Sequence, residues 1–122
     1  MSNKILVVDD NAMNLKMAEM ILKQKQYEVL KAESGQECIE ILKKDSVDLI
    51  LLDIEMPVMS GFETMEQIKQ LPGLSEIPVA FLSANDDEEI IEKAKSYGAA
   101  DYVKKPFIPA DLQSRVANML NN

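Results

Sequence analysis

The residues of this sequence that are best suited to chemistry are aspartates placed at the ends of apolar runs. Asp9 and Asp10 stand side by side directly after the run Ile5–Val8, and Asp53 follows another such run. Two carboxylates about 4 Å apart repel each other by roughly 4 kcal/mol at an effective dielectric constant of about 20. Because adjacent like charges at the end of a buried strand are unfavourable, we expect this pair to serve a bound cation.

A hydroxyl group and an ammonium group follow two further strand candidates. Ser83 comes after the fourth apolar run, and Lys105 comes after the fifth, directly before Pro106. The carboxyl ends of parallel strands meet at one edge of a sheet, where open α/β sheets bind ligands. We therefore expect the three carboxylates, the hydroxyl and the ammonium to share one cleft. Oxygen ligands of this kind suit Mg²⁺. A cation beside Lys105 would seat a phosphoryl group, with Ser83 supplying a hydrogen bond.

The elements that must position these residues alternate regularly along the chain. Apolar runs predict five strands, and helical periodicity with capping signals predicts a helix after each strand. Ser34 and Ser60 each begin an S-x-x-E capping box, and Asn85 begins a similar sequence. Gly98 is placed as a helix C-cap, and Pro109 suits a first helical turn. The predicted strands are Ile5–Val8, Glu28–Ala32, Asp48–Leu52, Val79–Leu82 and Tyr102–Lys104, and the predicted helices run from Asn11 to about Lys25, from Ser34 to about Lys44, from Ser60 to about Leu71, from Asn85 to near Gly98, and from Pro109 to about Leu120.

This alternation with short connections predicts βαβ units and an α/β fold with a parallel sheet. Three of the strands are continuous apolar runs, as expected where helices cover both faces of a sheet. Right-handed crossovers then give a doubly wound three-layer sandwich. We expect the first and third strands to be central and the second, which carries Glu28 and Lys31, to lie at an edge. With 122 residues, the chain has the size of one domain.

Composition excludes several classes of function. The formal net charge of −8 argues against direct nucleic-acid binding, and the absence of histidine excludes Ser-His-Asp catalysis, Cys-His catalysis and histidine-containing zinc sites. Cys38, the one cysteine, is predicted to be a small core or boundary residue. The sequence carries neither GxxxxGK[ST] nor GxGxxG, no apolar run long enough to span a membrane, and no apolar signal-peptide region. We therefore expect a cytoplasmic protein in which an aspartate is the candidate covalent nucleophile.

Four segments, in order and in spacing, make the whole chain resemble the receiver domain of bacterial two-component response regulators. These domains belong to the flavodoxin-like family that includes the chemotaxis regulator. The resemblance implies a (βα)5 three-layer sandwich with strand order 2-1-3-4-5. The segments are ILVVDDN (Ile5–Asn11), DLILLDIEMPVMSGFE (Asp48–Glu63), IPVAFLSA (Ile77–Ala84) and AKSYGAADYVKKPF (Ala94–Phe107).

The resemblance implies a phosphoacceptor site. Asp53 would accept a phosphoryl group from a phosphohistidine on a partner histidine kinase or phosphotransfer protein, which would explain why this chain needs no histidine. Asp10, Asp53 and the backbone carbonyl of Glu55 would ligate Mg²⁺, or Mn²⁺ in its place, and Asp9 would hold a metal-bound water. Lys105 would pair with the phosphoryl group or with the oxygens of Asp53.

The resemblance also implies a conformational switch. Ser83 matches the Thr or Ser that shifts toward the phosphoryl group, Tyr102 matches the aromatic residue that turns inward with it, and the Lys105–Pro106 peptide would be cis. Phosphorylation would alter a face formed by residues of about 86–119, which would bind a downstream protein. We expect one receiver domain over residues 1–122 without an output domain, and either a monomer or a phosphorylation-dependent dimer. It would catalyse only its own phosphorylation and dephosphorylation, with no contact to membranes or nucleic acid.

Structural roles stay open for several of these residues. Asp9, Asp10 and Asn11 are favourable helix caps. Ser83 could be a turn former, and Tyr102 could be half-buried packing that does not switch.

Side chains next to the candidate site carry further expectations. Lys104 is expected to face solvent, opposite to its neighbour Lys105. The stripe of Met13, Met17 and Met20 is expected to be core or interface packing. In the resembling family, the positions of Glu55 and Asn85 vary and influence how long the phosphoryl group persists. A carboxylate at Glu55 could repel or order the attacking water, so we expect both residues to set the rate of self-dephosphorylation.

Two other functions are open at this point. An aspartate-nucleophile phosphatase would use the same residue types, but that class has a D-x-D pair at its first strand where this chain has adjacent aspartates. Turnover of a generic phosphatase substrate would identify it. A protein-interaction module that no longer needs phosphate would bind its partner equally well before and after Asp53→Asn.

Overall fold

Five strands alternate with five helices in the computed structural model, which describes residues 3–121. The predicted alternation is confirmed, and most boundaries agree to within one or two residues. The strands are β1 (Lys4–Val8), β2 (Glu28–Ala32), β3 (Leu49–Asp53), β4 (Val79–Ser83) and β5 (Asp101–Lys104). The helices are α1 (Ala12–Lys23), α2 (Gly35–Lys44), α3 (Gly61–Gln70), α4 (Glu88–Ser96) and α5 (Pro109–Leu120).

The strands form one parallel sheet in the order β2-β1-β3-β4-β5. The predicted order is therefore confirmed, with β1 and β3 inside the sheet and β2 at an edge. In this register Val8 lies opposite Leu52, and Asp53 lies opposite Leu82. The residues that end β1, β3 and β4 consequently meet at the same edge.

The core has two halves because successive strand residues point to opposite faces of the sheet. Leu6, Leu52 and Phe81 pack on one face with residues of α2, α3 and α4, whereas Leu51 and Leu82 pack on the other face with residues of α1 and α5. Every residue of β3 and β4 is buried. Burial of a large aliphatic side chain stabilises a fold by about 1.5–3 kcal/mol, so these two strands hold their polar ends in fixed positions.

Side-chain caps begin three of the helices as the sequence indicates. Asn11 accepts from the backbone N–H groups of Met13 and Asn14, so it caps α1. Ser34 caps α2 by accepting from the N–H of Glu37 at 3.1 Å, and Ser60 forms a complete capping box at the start of α3. The capping interpretation of the Asp-Asp-Asn sequence therefore holds for Asn11.

The predicted cap at Asn85 is wrong. Helix α4 begins only at Glu88, and its N-cap residue, Asp87, makes no side-chain capping bond. The Asn85 Oδ1 atom instead accepts from the Asp87 N–H at 2.9 Å, two residues along the chain. Asparagine is common both at helix N-caps and in local turns of this kind, and here the turn places Asn85 with the end of β4 rather than with the helix.

The core interpretation of the methionine stripe is also wrong. Met13, Met17 and Met20 are 69%, 41% and 60% exposed, and α1 packs through other residues, namely Leu15, Ala18, Ile21 and Leu22. A role of the methionines in an interface stays a prediction. Cys38 is fully buried as predicted, and burial raises the pKa of its thiol to about 12. Within residues 3–121, no helix has the length and apolar character needed to cross a membrane.

Candidate functional site

The predicted polar residues converge at the carboxyl edge of the sheet. Asp9 directly follows β1, Asp53 is the last residue of β3, and Ser83 is the last residue of β4. Lys105 directly follows β5, and its backbone N–H donates to the Ser83 carbonyl at 2.9 Å. The Lys105–Pro106 peptide is cis, as the resemblance implied.

Three carboxylates form the centre of this cleft. Asp9, Asp10 and Asp53 each offer one oxygen, and these oxygens lie within 4.8 Å of one another. Asp9 and Asp53 are buried, whereas Asp10 is exposed. The backbone N–H of Asn11 donates to Asp9 Oδ1 at 2.9 Å and so fixes the Asp9 side chain. An oxygen-only set of this kind matches the ligand preference of hard divalent cations.

Lys105 bridges the two buried carboxylates. Its Nζ atom lies 3.1 Å from Asp9 Oδ2 and 3.2 Å from Asp53 Oδ1. Burial alone would lower the pKa of the Lys105 ammonium, but the Asp53 and Asp9 carboxylates together outweigh it and raise that pKa. Lys105 therefore stays charged and supplies one positive charge to two buried negative ones.

The Asp53 carboxyl group is the most strongly perturbed acid of the cleft. Burial in the first place, and then the Asp9 carboxylate, raise its pKa from 3.8 to about 7. The charge of Lys105 and the backbone N–H of Glu55, 3.3 Å from Asp53 Oδ1, act in the opposite direction but are weaker. One ammonium thus does not compensate for both buried carboxylates, and further positive charge at this point would favour ionised Asp53.

The loop from β3 to α3 is held against Asp53 by a glycine. The Gly61 N–H donates to the Ile54 carbonyl at 2.8 Å. A Cβ atom at Gly61 would lie 2.3 Å from the Asp53 carbonyl oxygen and 2.8 Å from Ile54 Cα, both of them backbone atoms. The close approach needs glycine, and it holds the start of α3 against the end of β3.

Ser83 makes a contact that the sequence did not predict. Its buried hydroxyl donates to Glu55 Oε1 at 2.6 Å and accepts from the Asn85 N–H at 3.0 Å. The expected hydrogen bond was to a phosphoryl group; in this structure the Ser83 proton is directed to Glu55. The bond to Asn85 also bears out the turn-forming role left open for Ser83.

Tyr102 lies beside this group of residues in β5. It is half-buried, and its hydroxyl donates to the backbone carbonyl of Asn85. Burial is the main cause that raises the pKa of its phenol. The ring lines a cavity of about 460 Å³ together with Asp86 and Lys104, which form an exposed ion pair at 2.9 Å. Lys104 faces solvent, as predicted.

A sequence profile described as "Response regulator receiver domain" matches residues 5–117 of the chain. The chain belongs to this family. The receiver domain is 42% identical over 118 residues to a probable cyclic di-GMP phosphodiesterase from Vibrio cholerae. The aligned region covers 97% of this chain and 26% of that protein. It is 33% identical over 115 residues to the two-component response regulator ORR3 from Oryza sativa, with coverage of 93% and 87%.

The receiver domain also resembles solved structures along its whole length. It superimposes with a TM-score of 0.91 on the receiver domain of the sensor histidine kinase PA1611 from Pseudomonas aeruginosa. The two are 27% identical and cover 100% of each other, and that structure has a magnesium ion in its active-site cleft. The predicted family, the predicted flavodoxin-like fold and membership in two-component systems are confirmed. The chain spans about a quarter of the length of the Vibrio phosphodiesterase, whose activity belongs to that protein.

Proposed function

We propose that this receiver domain is a phosphorylation switch and that Asp53 is its phosphoacceptor. The observation that carries the proposal is the Lys105 ammonium, which lies 3.2 Å from Asp53 Oδ1 and 3.1 Å from Asp9 Oδ2, where both carboxylates are buried. A buried carboxylate with one charged lysine and two further acids beside it is arranged to accept a phosphoryl group when a cation is bound. It has no evident benefit for folding, because burial and the Asp9 charge both oppose its ionisation.

The chemistry follows from the residues of the cleft. A carboxylate oxygen of Asp53 attacks the phosphorus of a phosphohistidine. The O–P bond forms as the P–N bond breaks, and the imidazole, which carries a proton on its other ring nitrogen, takes the bonding electron pair and leaves as a neutral group. Lys105 stays protonated and stabilises the negative charge of the transferring oxygens. The donor histidine belongs to a histidine kinase or phosphotransfer protein, because this sequence has none.

Mg²⁺ is the cofactor that best fits the acidic group, and Mn²⁺ has the same ligand preference. The fit rests on three oxygen donors within 4.8 Å and on the uncompensated charge at Asp53. Asp10, Asp53 and the Glu55 carbonyl would hold the ion, and Asp9 would hold one of its waters. When bound, the ion would neutralise charge on the phosphoryl group during transfer.

The output would be a change in the face formed by residues of about 86–119. Support comes from the link between the cleft and Tyr102, which lines a cavity of about 460 Å³ on that face. Charged pairs surround the cavity, including Arg115 with Asp101 at 2.8 Å. We propose that a downstream protein binds there in the bacterial cytoplasm, that the domain turns over no separate substrate, and that it is a monomer or a phosphorylation-dependent dimer.

Incubation with acetyl phosphate and Mg²⁺, followed by intact-mass spectrometry, tests this function. We expect one phosphoryl group on the native protein, and none after chelation of the metal or in Asp53→Asn. Glu40→Gln, which removes an exposed carboxylate of α2, is the matched control and should be phosphorylated normally. Phosphorylation of Asp53→Asn to the same extent would contradict the proposal.

A further inference from the structure

The Ser83 hydroxyl has a single proton, and the structure gives that proton to Glu55. The Ser83 Oγ to Glu55 Oε1 distance is 2.6 Å, which lies in the range of a hydroxyl donating to an ionised carboxylate. The Ser83 oxygen is fully buried and accepts from the Asn85 N–H at 3.0 Å, so the side chain is held on two sides. A hydroxyl fixed in this way cannot donate elsewhere unless Glu55 releases it.

We propose that the Glu55 side chain is a positioning residue that holds Ser83 in the unphosphorylated arrangement by competing with the phosphoryl group for the Ser83 proton. This inference rests on the proposed phosphorylation of Asp53. Ser83 and Asp53 end neighbouring strands of the sheet, so a phosphoryl group on Asp53 would be added next to the hydroxyl. The two acceptors exclude each other because one proton serves one of them.

Glu55 is placed to sense that event directly. Its backbone N–H donates to Asp53 Oδ1 at 3.3 Å, while its exposed side chain accepts from the Ser83 hydroxyl. A phosphoryl group brings close to two negative charges to Asp53. Phosphorylation would therefore offer Ser83 a new anionic acceptor in competition with Glu55.

The hydrogen bond from Ser83 to Glu55 is linked to Tyr102 through Asn85. Ser83 accepts from the N–H of Asn85, and the carbonyl of Asn85 accepts from the hydroxyl of Tyr102. Four residues thus form a continuous hydrogen-bonded chain from the cleft to the cavity of about 460 Å³ that Tyr102 lines. Movement of Ser83 away from Glu55 would shift the backbone of Asn85 and so alter the hydrogen bond that holds the Tyr102 hydroxyl.

The test is the affinity for beryllofluoride, a stable phosphoryl mimic, in the presence of Mg²⁺, with amide NMR spectra as the readout. Glu55→Ala removes the competing acceptor and should bind about fivefold more tightly, as a hydrogen bond with a net value of about 1 kcal/mol requires. Glu55→Gln keeps an acceptor oxygen without the charge and should stay closer to the native affinity. Glu40→Ala removes a remote carboxylate and should change nothing.

A double-mutant cycle separates this role from simple charge repulsion. In a Ser83→Ala background, Glu55→Ala should change the affinity by less than about 1.5-fold, because the proton in competition no longer exists. The Asn85 amide signal of free Glu55→Ala should also shift toward its position in the beryllofluoride-bound native protein. Thermal melting of each variant without beryllofluoride establishes that it is folded.

Three results would overturn the inference. These are an unchanged or weaker affinity in Glu55→Ala, a fivefold gain that persists in the Ser83→Ala background, and a gain in Glu55→Gln equal to that in Glu55→Ala. If the native protein with Mg²⁺ did not bind beryllofluoride at all, that result would contradict both the proposed phosphorylation of Asp53 and this inference. Binding by the native protein together with any of the three results would leave the proposed function standing and remove the role of Glu55.

Discussion

Replacement of Asp53 by Asn should stabilise the metal-free protein, and more strongly at high pH. The pKa of Asp53 is raised from 3.8 to about 7 in the folded protein, chiefly by burial and then by the Asp9 carboxylate. The interval between these two values corresponds to about 4 kcal/mol of unfavourable free energy for the ionised carboxyl group. Asn has the same shape and no charge, and Lys105 keeps its contact with Asp9 at 3.1 Å.

The sign of the pH dependence follows from proton binding. Between pH 3.8 and about pH 7 the folded protein holds a proton on Asp53 that the unfolded chain releases. The contribution of Asp53 to stability is therefore complete below pH 3.8 and is lost as the pH rises toward 7. About 2 kcal/mol of that loss falls between pH 5.5 and pH 8, so the advantage of Asp53→Asn over the native protein should grow by about 2 kcal/mol across this interval.

Urea unfolding at pH 5.5 and pH 8, with a chelator present, measures this difference. Glu40→Gln serves as the control because it removes an exposed carboxylate of α2, and its effect should vary by less than about 0.5 kcal/mol with pH. An Asp53→Asn variant that is less stable than the native protein at pH 8 would contradict this prediction. So would an advantage that is the same at both pH values, because Asp53 would then not be the buried acid that retains its proton.

Three further substitutions test other parts of the site. Lys105→Met leaves Asp9 and Asp53 without their shared cation and should lower the free energy of unfolding at pH 8 by about 3 kcal/mol in urea titrations; an unchanged value would show that the buried pair needs no ammonium. Asp10→Asn should change the free energy of unfolding of the metal-free protein by less than about 1 kcal/mol, because Asp10 is exposed. It should also abolish the stabilisation of the fold by millimolar Mg²⁺, and stabilisation that persists would show that Asp10 is not a metal ligand. Gly61→Ala places a Cβ atom 2.3 Å from the Asp53 carbonyl oxygen and should destabilise the fold by about 2 kcal/mol or more, and near-native stability would mean that the β3–α3 loop moves freely.

The residues of the cleft could be predicted from sequence because their positions follow from the strands alone. A parallel sheet brings the carboxyl ends of its strands together, so polar residues after β1, β3, β4 and β5 had to converge. The apolar runs fixed the strand positions, and the caps at Asn11, Ser34 and Ser60 fixed where three helices begin. Binary pattern and capping chemistry were thus sufficient for the parallel sheet and for the placement of Asp53 and Lys105, whereas the full strand order came from the family resemblance.

The contacts among those residues could not be predicted in the same way. Glu55 and Ser83 are 28 residues apart, and their hydrogen bond depends on the path of the β3–α3 loop, which Gly61 brings against Asp53. Asn85 has the spacing of a helix cap, but its side chain makes a local turn, and no sequence pattern distinguishes the two outcomes. The prediction that the α1 methionines lie in the core was wrong because another apolar stripe of the helix, which includes Leu15 and Leu22, packs against the sheet instead.

The most direct test of the account is the location of the phosphoryl group on the native protein. Protein phosphorylated with acetyl phosphate and Mg²⁺ is reduced with borohydride, which converts an aspartyl phosphate to homoserine, and is then digested and sequenced by mass spectrometry. We predict homoserine at Asp53, with Asp9 and Asp10 unmodified. Homoserine at Asp9 or Asp10, or a phosphoryl group that resists borohydride and maps to a hydroxyl residue, would contradict the assignment of Asp53 as the phosphoacceptor.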